Sequence, residues 1–338
     1  MSKILVTGGA GYIGSHTVLS LVQAGYEVVV YDNLSTGFGQ AVLPPARLVV
    51  GDLADRQKLA HLVSRESFAA VVHFAASIVV PESVRDPLKY YQNNTVNTTG
   101  LIHIAASAGI PHFIFSSTAA VYGLPDLLPV TETAPVAPIN PYGRSKLMSE
   151  WVLQDVSAAM PDFRHIILRY FNVAGADPQL RLGQSTPEAT HLIKVACQTA
   201  LGQRESLSIF GTDYPTPDGT GIRDYIHVSD LAEAHVLALQ SLEQGWDSNV
   251  YNCGYGRGFS VRDIISAVQG VAEQDLAVTE SNRRPGDPAE LVADAREIRS
   301  ALNWNPRHDD LEFIVRTAYA WEQKQMHSPW PGPGPEGL

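Results

Sequence analysis

The chain has 338 residues, of which 45% are apolar, and a formal net charge of −11 from 35 acidic and 24 basic side chains. This composition excludes global disorder, and the length suits one large domain or two domains that share an interface. The excess of acids argues against nucleic acid or an anionic membrane surface as the main partner. Taken alone, this excess also argues against a small anionic substrate.

The chain opens with a short apolar segment that soon breaks into glycine, which is not the pattern of a signal peptide. No uncharged apolar run has the length needed to cross a bilayer. Cys197 and Cys253 belong to no CxxC motif or Cys/His cluster, so no metal site is expected. A bridge between them is conceivable, but two reduced, packed thiols in a cytoplasmic protein are the better interpretation.

The first half of the chain alternates strand-like and helix-like segments, which is typical of a parallel sheet covered by helices. Apolar, β-branched runs predict strands at residues 4–6, 27–31, 48–50, 70–74, 112–115 and 165–170. Helical periodicity predicts helices at residues 13–21, 95–108 and 141–159. We therefore predict an α/β fold with a Rossmann-type, doubly wound parallel sheet.

After Asn172 glycine, proline and polar residues become frequent and the alternation loosens. A helix is predicted from Asp230 to about Leu242, with an Asp-x-x-Glu opening that could cap it. We predict a first domain over residues 1–180 and a smaller, irregular α/β domain over residues 181–328, with some later segments returning to the first. The proline- and glycine-rich residues 329–338 predict a disordered tail.

Three glycines, Gly8, Gly11 and Gly14, lie where the first predicted strand turns into the first helix. Glycine there permits a tight turn and lets backbone N–H groups approach a diphosphate at the helix N-terminus. The spacing is GxxGxxG rather than the commoner GxGxxG, so the interpretation depends on the strand before it and the amphipathic helix after it. An ordinary turn is the alternative.

The second predicted strand ends in Asp32, followed by Asn33, where a carboxylate would accept both ribose hydroxyls of an adenosine. A carboxylate at this position repels a 2′-phosphate, and no arginine follows closely, which favours NAD over NADP. Asp52 and Leu53 end the third strand, where an acid could reach the adenine edge. Alternatively, Asp32 and Asn33 merely open a turn.

The segment from Asn140 to Lys146 predicts a catalytic pair. Asn140 suits an N-cap and Pro141 the first helical position, so Tyr142 and Lys146 would lie one turn apart on the same face. An ammonium group beside a phenol, together with the positive nicotinamide of an oxidised cofactor, would lower the phenol's pKa from about 10. Such a tyrosine can take a proton from an alcohol while hydride leaves the same carbon. A surface tyrosine and a solvated lysine are the alternative.

Three consecutive hydroxyl residues, Ser116, Ser117 and Thr118, continue a predicted strand at its carboxyl end. Ligands bind at that end of the strands in open α/β sheets, and three hydroxyls in a row there are unusual for packing alone. We therefore predict joint catalytic use of Thr118, Tyr142 and Lys146.

Together these motifs resemble the extended short-chain dehydrogenase/reductase family, and in particular its epimerases of nucleotide-activated sugars. The resemblance covers residues 3–325 and includes His73-Phe-Ala-Ala, Tyr90-Tyr-Gln-Asn-Asn94, Leu168-Arg-Tyr-Phe-Asn172 and Gly219-Thr-Gly-Ile-Arg-Asp-Tyr-Ile-His-Val228. It implies an enzyme that interconverts UDP-glucose and UDP-galactose, with NAD held tightly in the first domain and the UDP-sugar in the second. Tyr142 would remove the 4-OH proton, and hydride would return to the opposite face of a transient 4-keto sugar.

The resemblance also implies roles for individual residues. The cofactor-binding set is Gly8, Gly11, Tyr12, Ile13, Gly14, Asp32, Asn33, Asp52, Leu53, Phe74, Ala75, Ala76, Asn93, Ser116, Tyr142, Lys146 and Tyr170. The substrate-binding set is Thr118, Tyr142, Asn172, His191, Leu192, Phe210, Arg223, Arg284 and Asp287. Arg223 and Arg284 would hold the diphosphate, which reconciles an anionic substrate with an acidic chain, although each could be a plain surface arginine. A homodimer through a bundle of helices is implied as well.

Three positions depart from the family pattern. His191 stands where an asparagine usually contacts the substrate, and Ile78 where some members have a lysine. Leu291 falls where residue size decides whether N-acetylated sugars enter, and leucine is intermediate. The chain therefore leaves open UDP-GlcNAc, or a pentose or uronic acid nucleotide, as the substrate.

Two other functions fit parts of the same pattern. Nucleotide-sugar dehydratases share the fold, the cofactor and the Tyr-Lys pair, but they need an acid pair beside the hydroxyl, where this chain has Ala119 and Ala120. A non-catalytic NAD-dependent sensor is the other alternative. Such proteins often lose the tyrosine or the lysine, and both are present here.

Overall fold

The computed structural model of the chain describes residues 1–187, 189–284 and 286–334. The strands are β1 (Lys3–Thr7), β2 (Glu27–Asp32), β3 (Arg47–Val50), β4 (Ala70–His73), β5 (His112–Thr118), β6 (Arg164–Tyr170), β7 (Asn172–Ala174), β8 (Leu207–Phe210), β9 (Ile222–His227), β10 (Asn249–Cys253), β11 (Gly258–Ser260), β12 (Val278–Ser281) and β13 (Glu290–Leu291). The helices are α1 (Tyr12–Gln23), α2 (Arg56–Arg65), α3 (Val80–Arg85), α4 (Pro87–Tyr90), α5 (Asn97–Ser107), α6 (Pro141–Ala159), α7 (Leu192–Ala200), α8 (Val228–Glu243), α9 (Val261–Ala272), α10 (Arg296–Ala301) and α11 (Leu311–His327).

The central sheet has seven parallel strands in the order β10-β6-β5-β4-β1-β2-β3. The order reverses between β1 and β4, which creates a crevice at the carboxyl ends of these two strands, the usual ligand position in such sheets. All six predicted strands are present, and the doubly wound α/β fold is confirmed. Strand β10 comes from the later half of the chain and joins the first sheet beside β6.

Both faces of this sheet are covered. In β1, Ile4 and Val6 point to the cluster that contains Val18 of α1. Leu5 points to the opposite cluster, which contains Leu59 of α2 and residues of α5 and α6. Because a strand alternates its side chains between two faces, burial on both sides explains why these strands are continuous apolar runs.

The second half of the chain builds smaller sheets. Strand β9 pairs with β7 and β13 in parallel and with β11 antiparallel, and β8 pairs with β12. The register places Asn172 opposite Tyr225 and Leu291 opposite Arg223. Two segments predicted to bind substrate thus meet on β9, although they are far apart in the chain.

The start of α8 differs from the prediction. The helix begins at Val228, and the side chain of His227 accepts the capping hydrogen bond from Ser229 N. The Asp230 carboxylate instead accepts hydrogen bonds from the Tyr255 hydroxyl (2.6 Å) and other groups outside the helix. The predicted cap is therefore wrong, because tertiary contacts use the acid that would have made it.

The tail also differs from the predicted disorder at Trp330. Its ring centroid lies 5.6 Å from that of Phe38 and 5.2 Å from that of Trp321 on α11. Residues 335–338 lie outside the described residues. Cys197 and Cys253 are buried and free, as predicted. Within the described ranges, no helix is both long and apolar enough to cross a membrane.

Candidate active site

Helix α6 begins as its sequence predicts. The Asn140 side chain caps it by accepting from Gly143 N at 2.8 Å, and Pro141 is the first helical residue. A Cβ atom at Gly143 would lie 2.7 Å from the carbonyl oxygen of Ala120, so glycine allows the helix to approach the end of β5 closely. This contact brings the first turn of α6 against the three hydroxyl residues.

The structure brings Thr118, Tyr142 and Lys146 together. The Thr118 hydroxyl lies close enough to the Tyr142 phenol to lower its pKa. One turn further along α6, the Lys146 ammonium group donates to the carbonyl oxygen of Ser116 at 2.8 Å and lies 4.8 Å from the centroid of the Phe115 ring. Tyr142 and Thr118 are each 8% exposed and Lys146 only 2%, so all three are shielded from bulk water.

Burial controls the ionisation of this pair. It raises the pKa of Tyr142 to about 12, against the lowering effect of the Thr118 hydrogen bond. It also lowers the pKa of Lys146 to about 7, against the negative charge of Glu150. A phenol in this site therefore becomes a base only when positive charge is close to it, and Lys146 is partly charged near neutral pH.

The glycine turn between β1 and α1 is as tight as predicted. Gly8 has a φ of 73°, a conformation that favours glycine, and a Cβ atom at Gly14 would lie 2.2 Å from the carbonyl oxygen of Gly8. Gly11 occupies the N-cap position of α1, where no side chain caps the helix. Tyr12 and Ile13 form the first turn, and the Tyr12 hydroxyl donates to Gly175 O at 2.6 Å. A twelve-residue helix with an uncapped glycine N-terminus fits a diphosphate.

Asp32 lies at the end of β2, beside this turn. Its two carboxylate oxygens accept from Ala10 N (2.9 Å) and Leu34 N (2.8 Å), and burial raises its pKa. Each oxygen keeps a second lone pair for a ribose hydroxyl. Asn33 donates to the Asp52 carboxylate at 2.7 Å, and buried Leu53 follows, so these predicted cofactor residues form one cluster.

A second group of predicted cofactor residues lies after the end of β4 and in a π-helical turn before α5. Phe74 and Ala75 N–H groups both bond to Thr7 O, with Ala75 packed on Gly8, and Ala76 follows. Asn93 donates to the Ser77 hydroxyl at 3.0 Å from a π-helical turn over Tyr91–Val96. A π-helical turn of this kind is rare and often marks a functional site.

His235 of α8 was not predicted, yet it connects three of these residues. Its ring centroid lies 4.8 Å from Phe74 and 6.3 Å from Tyr170. Its Nδ1 donates to Leu231 O, so its Nε2 accepts from the Ser116 hydroxyl at 2.9 Å. Burial lowers its pKa to about 4, so the ring is neutral. The sequence gives no signal for this role because His235 lies in an ordinary amphipathic helix.

The predicted uridine and diphosphate residues lie on the smaller sheets, at Phe210 and Arg223, and in the segment between β12 and β13, at Arg284 and Asp287. The Arg284 guanidinium lies 3.8 Å from the centroid of the Phe210 ring, which is 36% exposed. Arg223 is on β9, and the described residues place no carboxylate within ion-pair distance of Arg223 or Arg284. Asp287 and Arg223 both act electrostatically on Tyr214, a buried residue that was not predicted.

The departures from the family pattern have defined positions. His191 precedes α7, and Gln184 Nε2 donates to its Nδ1 at 2.8 Å, while burial and Lys194 lower its pKa. Its Nε2 therefore carries the proton of a neutral ring. Leu291 is 8% exposed, whereas Ile78 is 47% exposed.

A cavity joins other predicted substrate residues. It is lined by Asn172, Gln184, His191, Leu192, Lys194 and Glu322, among others. Asn172 comes from β7, His191 and Leu192 from the start of α7, and Glu322 from α11. The described residues thus place Asn172, His191 and Leu192 around one concave space.

Comparisons with known proteins agree with this geometry. A profile of the NAD dependent epimerase/dehydratase family matches residues 4–254. The UDP-glucose 4-epimerase of Azospirillum brasilense is 55% identical over 326 residues, 96% of this chain and 93% of that protein. The solved UDP-Glc/GlcNAc 4-epimerase of Campylobacter jejuni is 53% identical with a TM-score of 0.85, covering 96% of this chain and 100% of that one. The UDP-glucose 4-epimerase of Brucella ovis, solved with NAD, is 44% identical with a TM-score of 0.92, covering 95% and 98%.

Proposed function

The chain belongs to the NAD dependent epimerase/dehydratase family, and we propose that it interconverts UDP-glucose and UDP-galactose by inverting C4 of the sugar. The observation that carries this proposal is the buried contact of Thr118 with Tyr142, one helical turn from Lys146. These groups lie at the carboxyl end of β5, in the same sheet as the glycine turn that fits a cofactor diphosphate. Alcohol oxidation needs both a proton acceptor and a place for the hydride.

The chemistry that a bound NAD would supply is transfer of hydride from C4 of the sugar and back to the opposite face. The chain's part is to hold that group in a fixed place. The glycine turn and the N-terminus of α1 would bind its diphosphate, and Asp32 its adenosine ribose. Phe74, Asn93 and Tyr170 would line the space beside it, with Ser116 fixed by His235.

Tyr142 would take the proton from the sugar 4-OH and later return it to the same oxygen. Thr118 would hydrogen-bond the 4-oxygen and the phenol, which keeps the two in line for proton transfer. Lys146 would place its positive charge where the phenolate forms. No water or external acid is consumed, so the chemistry balances within one turnover.

The UDP part of the substrate would be held by the smaller sheets and by the segments next to them. Arg223 and Arg284 offer guanidinium groups free of acidic partners among the described residues, which suits a diphosphate. The N–H groups at the start of α7, next to His191 and Leu192, suit the same anion, and Asn172 lines the adjoining cavity. Phe210 would support the uracil and Asp287 the uridine ribose.

Elimination of water is disfavoured by the residues after Thr118. Ala119 and Ala120 carry methyl groups where a dehydratase needs acids, and Ala119 is 4% exposed. The Ala120 N–H is bonded to the Thr118 hydroxyl at 3.1 Å. This short turn supplies no proton donor for a leaving hydroxide.

The first experiment is conversion of UDP-galactose by the purified protein without added NAD. We expect UDP-glucose to form, because a buried cofactor site would retain NAD through purification. Absence of UDP-glucose, or accumulation of a dehydrated sugar, would contradict the proposal. A reduced-nicotinamide absorbance band on adding UDP-sugar, with no product released, would instead indicate a sensor.

UDP-GlcNAc is a second candidate substrate. Leu291 packs in an apolar cluster with Tyr122 and Phe171 rather than standing free in the cleft. The same assay with UDP-GlcNAc should then give a rate within about tenfold of that with UDP-glucose. A rate lower by roughly several hundredfold would mean that the site is closed to an N-acetyl group.

Assembly and location belong to the proposal as well. A homodimer is supported by exposed apolar side chains on α6 and beside α5, namely Val96 (40%), Met148 (37%) and Trp151 (50%). A cytoplasmic location is supported by the two buried, free thiols of Cys197 and Cys253.

A further inference from the structure

Glu150 carries a buried charge that has no role in the reaction proposed above. Its side chain is 0% exposed and forms a two-pronged ion pair with Arg169 of β6. Arg169 Nη2 donates to Glu150 Oε2 at 2.6 Å, and its Nε donates to Oε1 at 3.1 Å. An isolated buried carboxylate would be strongly unfavourable, so this pairing is what allows the charge to stay in the core.

The Arg169 guanidinium group is also held by hydrogen bonds on the side that faces away from Glu150. Its Nη1 donates to the Tyr122 hydroxyl at 3.0 Å, and that hydroxyl donates to Asn252 Oδ1 at 2.7 Å. Asn252 lies on β10, so the guanidinium is held between β6, β10 and the turn after β5. The carboxylate of Glu150 consequently has one defined position.

The Glu150 carboxylate lies on the same face of α6 as the two proposed catalytic residues of that helix. Tyr142, Lys146 and Glu150 follow each other at intervals of four residues and so share one face of the helix. Three successive residues of β5 contact them. The Thr118 hydroxyl lies beside the Tyr142 phenol, the Ser116 carbonyl accepts from Lys146, and the Ser117 hydroxyl donates to Glu150.

Apart from Glu150 and its partner Arg169, the titratable groups named here around Lys146 carry no charge. His73 on β4 is neutral, because burial and Lys146 hold its pKa well below its usual range. Tyr90 from α4, Tyr122 and Tyr170 have pKa values raised by burial. Glu150 is the nearby charge that counteracts the effect of burial on Lys146, and Arg169 is engaged by Glu150.

We propose that Glu150, fixed by Arg169 and Ser117, is a positioning residue that acts as the internal counter-charge of Lys146 and keeps its ammonium group charged beside Tyr142. The inference rests on the proposed function, in which Tyr142 is the proton acceptor. Arg169 contributes indirectly, because it holds the Glu150 carboxylate one helical turn from Lys146.

The test compares Glu150→Gln, Glu150→Asp and the double variant Glu150→Gln/Arg169→Gln in the NAD-loaded protein. Phenolate formation at Tyr142 is followed by ultraviolet difference titration, subtracting the same protein with Tyr142→Phe. Without the carboxylate, Lys146 loses its proton more readily and Tyr142 ionises at higher pH. We expect the phenolate titration to move up by about one pH unit in Glu150→Gln and in the double variant. Glu150→Asp keeps the charge and should stay near the wild-type titration.

The double variant distinguishes two roles for the Glu150 charge, namely acting on Lys146 or only neutralising Arg169. If Glu150 served only to neutralise Arg169, removing both charges would restore the wild-type titration, and the proposal would be wrong. The double variant also decides the matter if Glu150→Gln alone fails to fold, because neutralising both members of a buried pair is tolerated better than removing one. An unshifted phenolate titration in a folded Glu150→Gln protein would equally overturn it.

Turnover provides a second readout. At neutral pH we expect kcat with UDP-galactose to fall about tenfold in both Gln variants, with KM within about twofold, because the substrate contacts are untouched. The titration needs no turnover. If the wild-type protein converts no UDP-sugar, the proposed function fails while the role of Glu150 is still tested.

Discussion

Tyr142 occupies a site that, without added positive charge, opposes its ionisation. Burial raises its pKa to about 12, and only the hydrogen bond from Thr118 acts in the other direction. In its proposed role as proton acceptor, Tyr142 would therefore need the positive charges of Lys146 and of an oxidised nicotinamide beside it.

Replacement of Tyr142 by Phe should lower kcat with UDP-galactose by about 10²–10⁴, the usual contribution of a positioned acid–base group. Bound NAD should be retained, because the ring and the helix stay in place and the cofactor's main contacts lie in the glycine turn. The measurement is kcat together with the NAD content of the purified variant. Near wild-type turnover would contradict the assignment of Tyr142 as the proton acceptor.

Local motifs made the geometry of the proposed catalytic residues predictable. Asn140, Tyr142 and Lys146 lie within one helix start, where capping and the four-residue spacing decide the geometry. Arg169 and His235 could not be found this way, because each meets its partner through the sheet, from a distant part of the chain. Their sequence surroundings resemble those of any buried strand or helix.

At the scale of elements, α7 and α11 are joined by a buried ion pair. The Lys194 ammonium group on α7 donates to the Glu322 carboxylate on α11 and to Gln184 O, and Gln198 donates to the same carboxylate at 3.2 Å. Gln184 in turn bonds His191, which precedes α7. The C-terminal helix thus supports the loop and helix start where the substrate diphosphate is proposed to bind.

Glu322→Gln should therefore weaken both the fold and substrate binding. It leaves Lys194 buried without its counter-charge, which typically lowers the free energy of unfolding by about 3–5 kcal/mol. KM for UDP-galactose should rise more than kcat falls, because α7 is proposed to hold the diphosphate and not the C4 end of the sugar. Denaturant unfolding and steady-state kinetics measure the two effects.

Glu312→Gln is the matched control on the same helix. Glu312 pairs with Arg316 four residues later, with side chains 68% and 58% exposed. Such surface pairs contribute about 0.3–0.5 kcal/mol, so this variant should behave almost as wild type. Equal effects of the two substitutions would show that the buried pair has no special role.

The elements themselves were predictable to different degrees. Strands buried on both faces, such as β1, are continuous apolar runs next to a glycine, so their positions follow from the sequence. The short strands β11 and β13 have three and two residues and exist because β9 pairs with them, which no local pattern encodes. The boundary between the two predicted domains stays a prediction.

At the scale of the molecule, the net charge of the chain does not determine the charge of the proposed substrate site. The chain carries −11, yet Arg223 and Arg284 lie near Tyr214 and Phe210 without acidic partners among the described residues. Arg283, the neighbour of Arg284, is instead paired with Asp213. Which arginine is available to a diphosphate is thus decided by pairing in the fold, which composition does not report.

The molecule also exposes apolar side chains on and beside α6, namely Val96, Met148 and Trp151, which concern its assembly. Met148 and Trp151 lie three residues apart on α6 and so share one face. The π-helical turn that carries Val96 is bound to α6, because the Thr95 hydroxyl donates to Ser145 O at 3.1 Å. An exposed tryptophan surrounded by apolar neighbours is typical of the centre of a protein interface.

Trp151→Glu should therefore convert a dimer into monomers. Loss of a central tryptophan and burial of a new charge should cost at least about 2 kcal/mol, or roughly a thirtyfold weaker association. Trp246→Glu is the matched control, because Trp246 is 43% exposed but lies in the loop between α8 and β10. Mass determined by light scattering over a dilution series measures the effect. A dimer that survives Trp151→Glu, or dissociates equally with Trp246→Glu, would mean that another surface joins the subunits, and a monomeric wild-type protein would mean that none does.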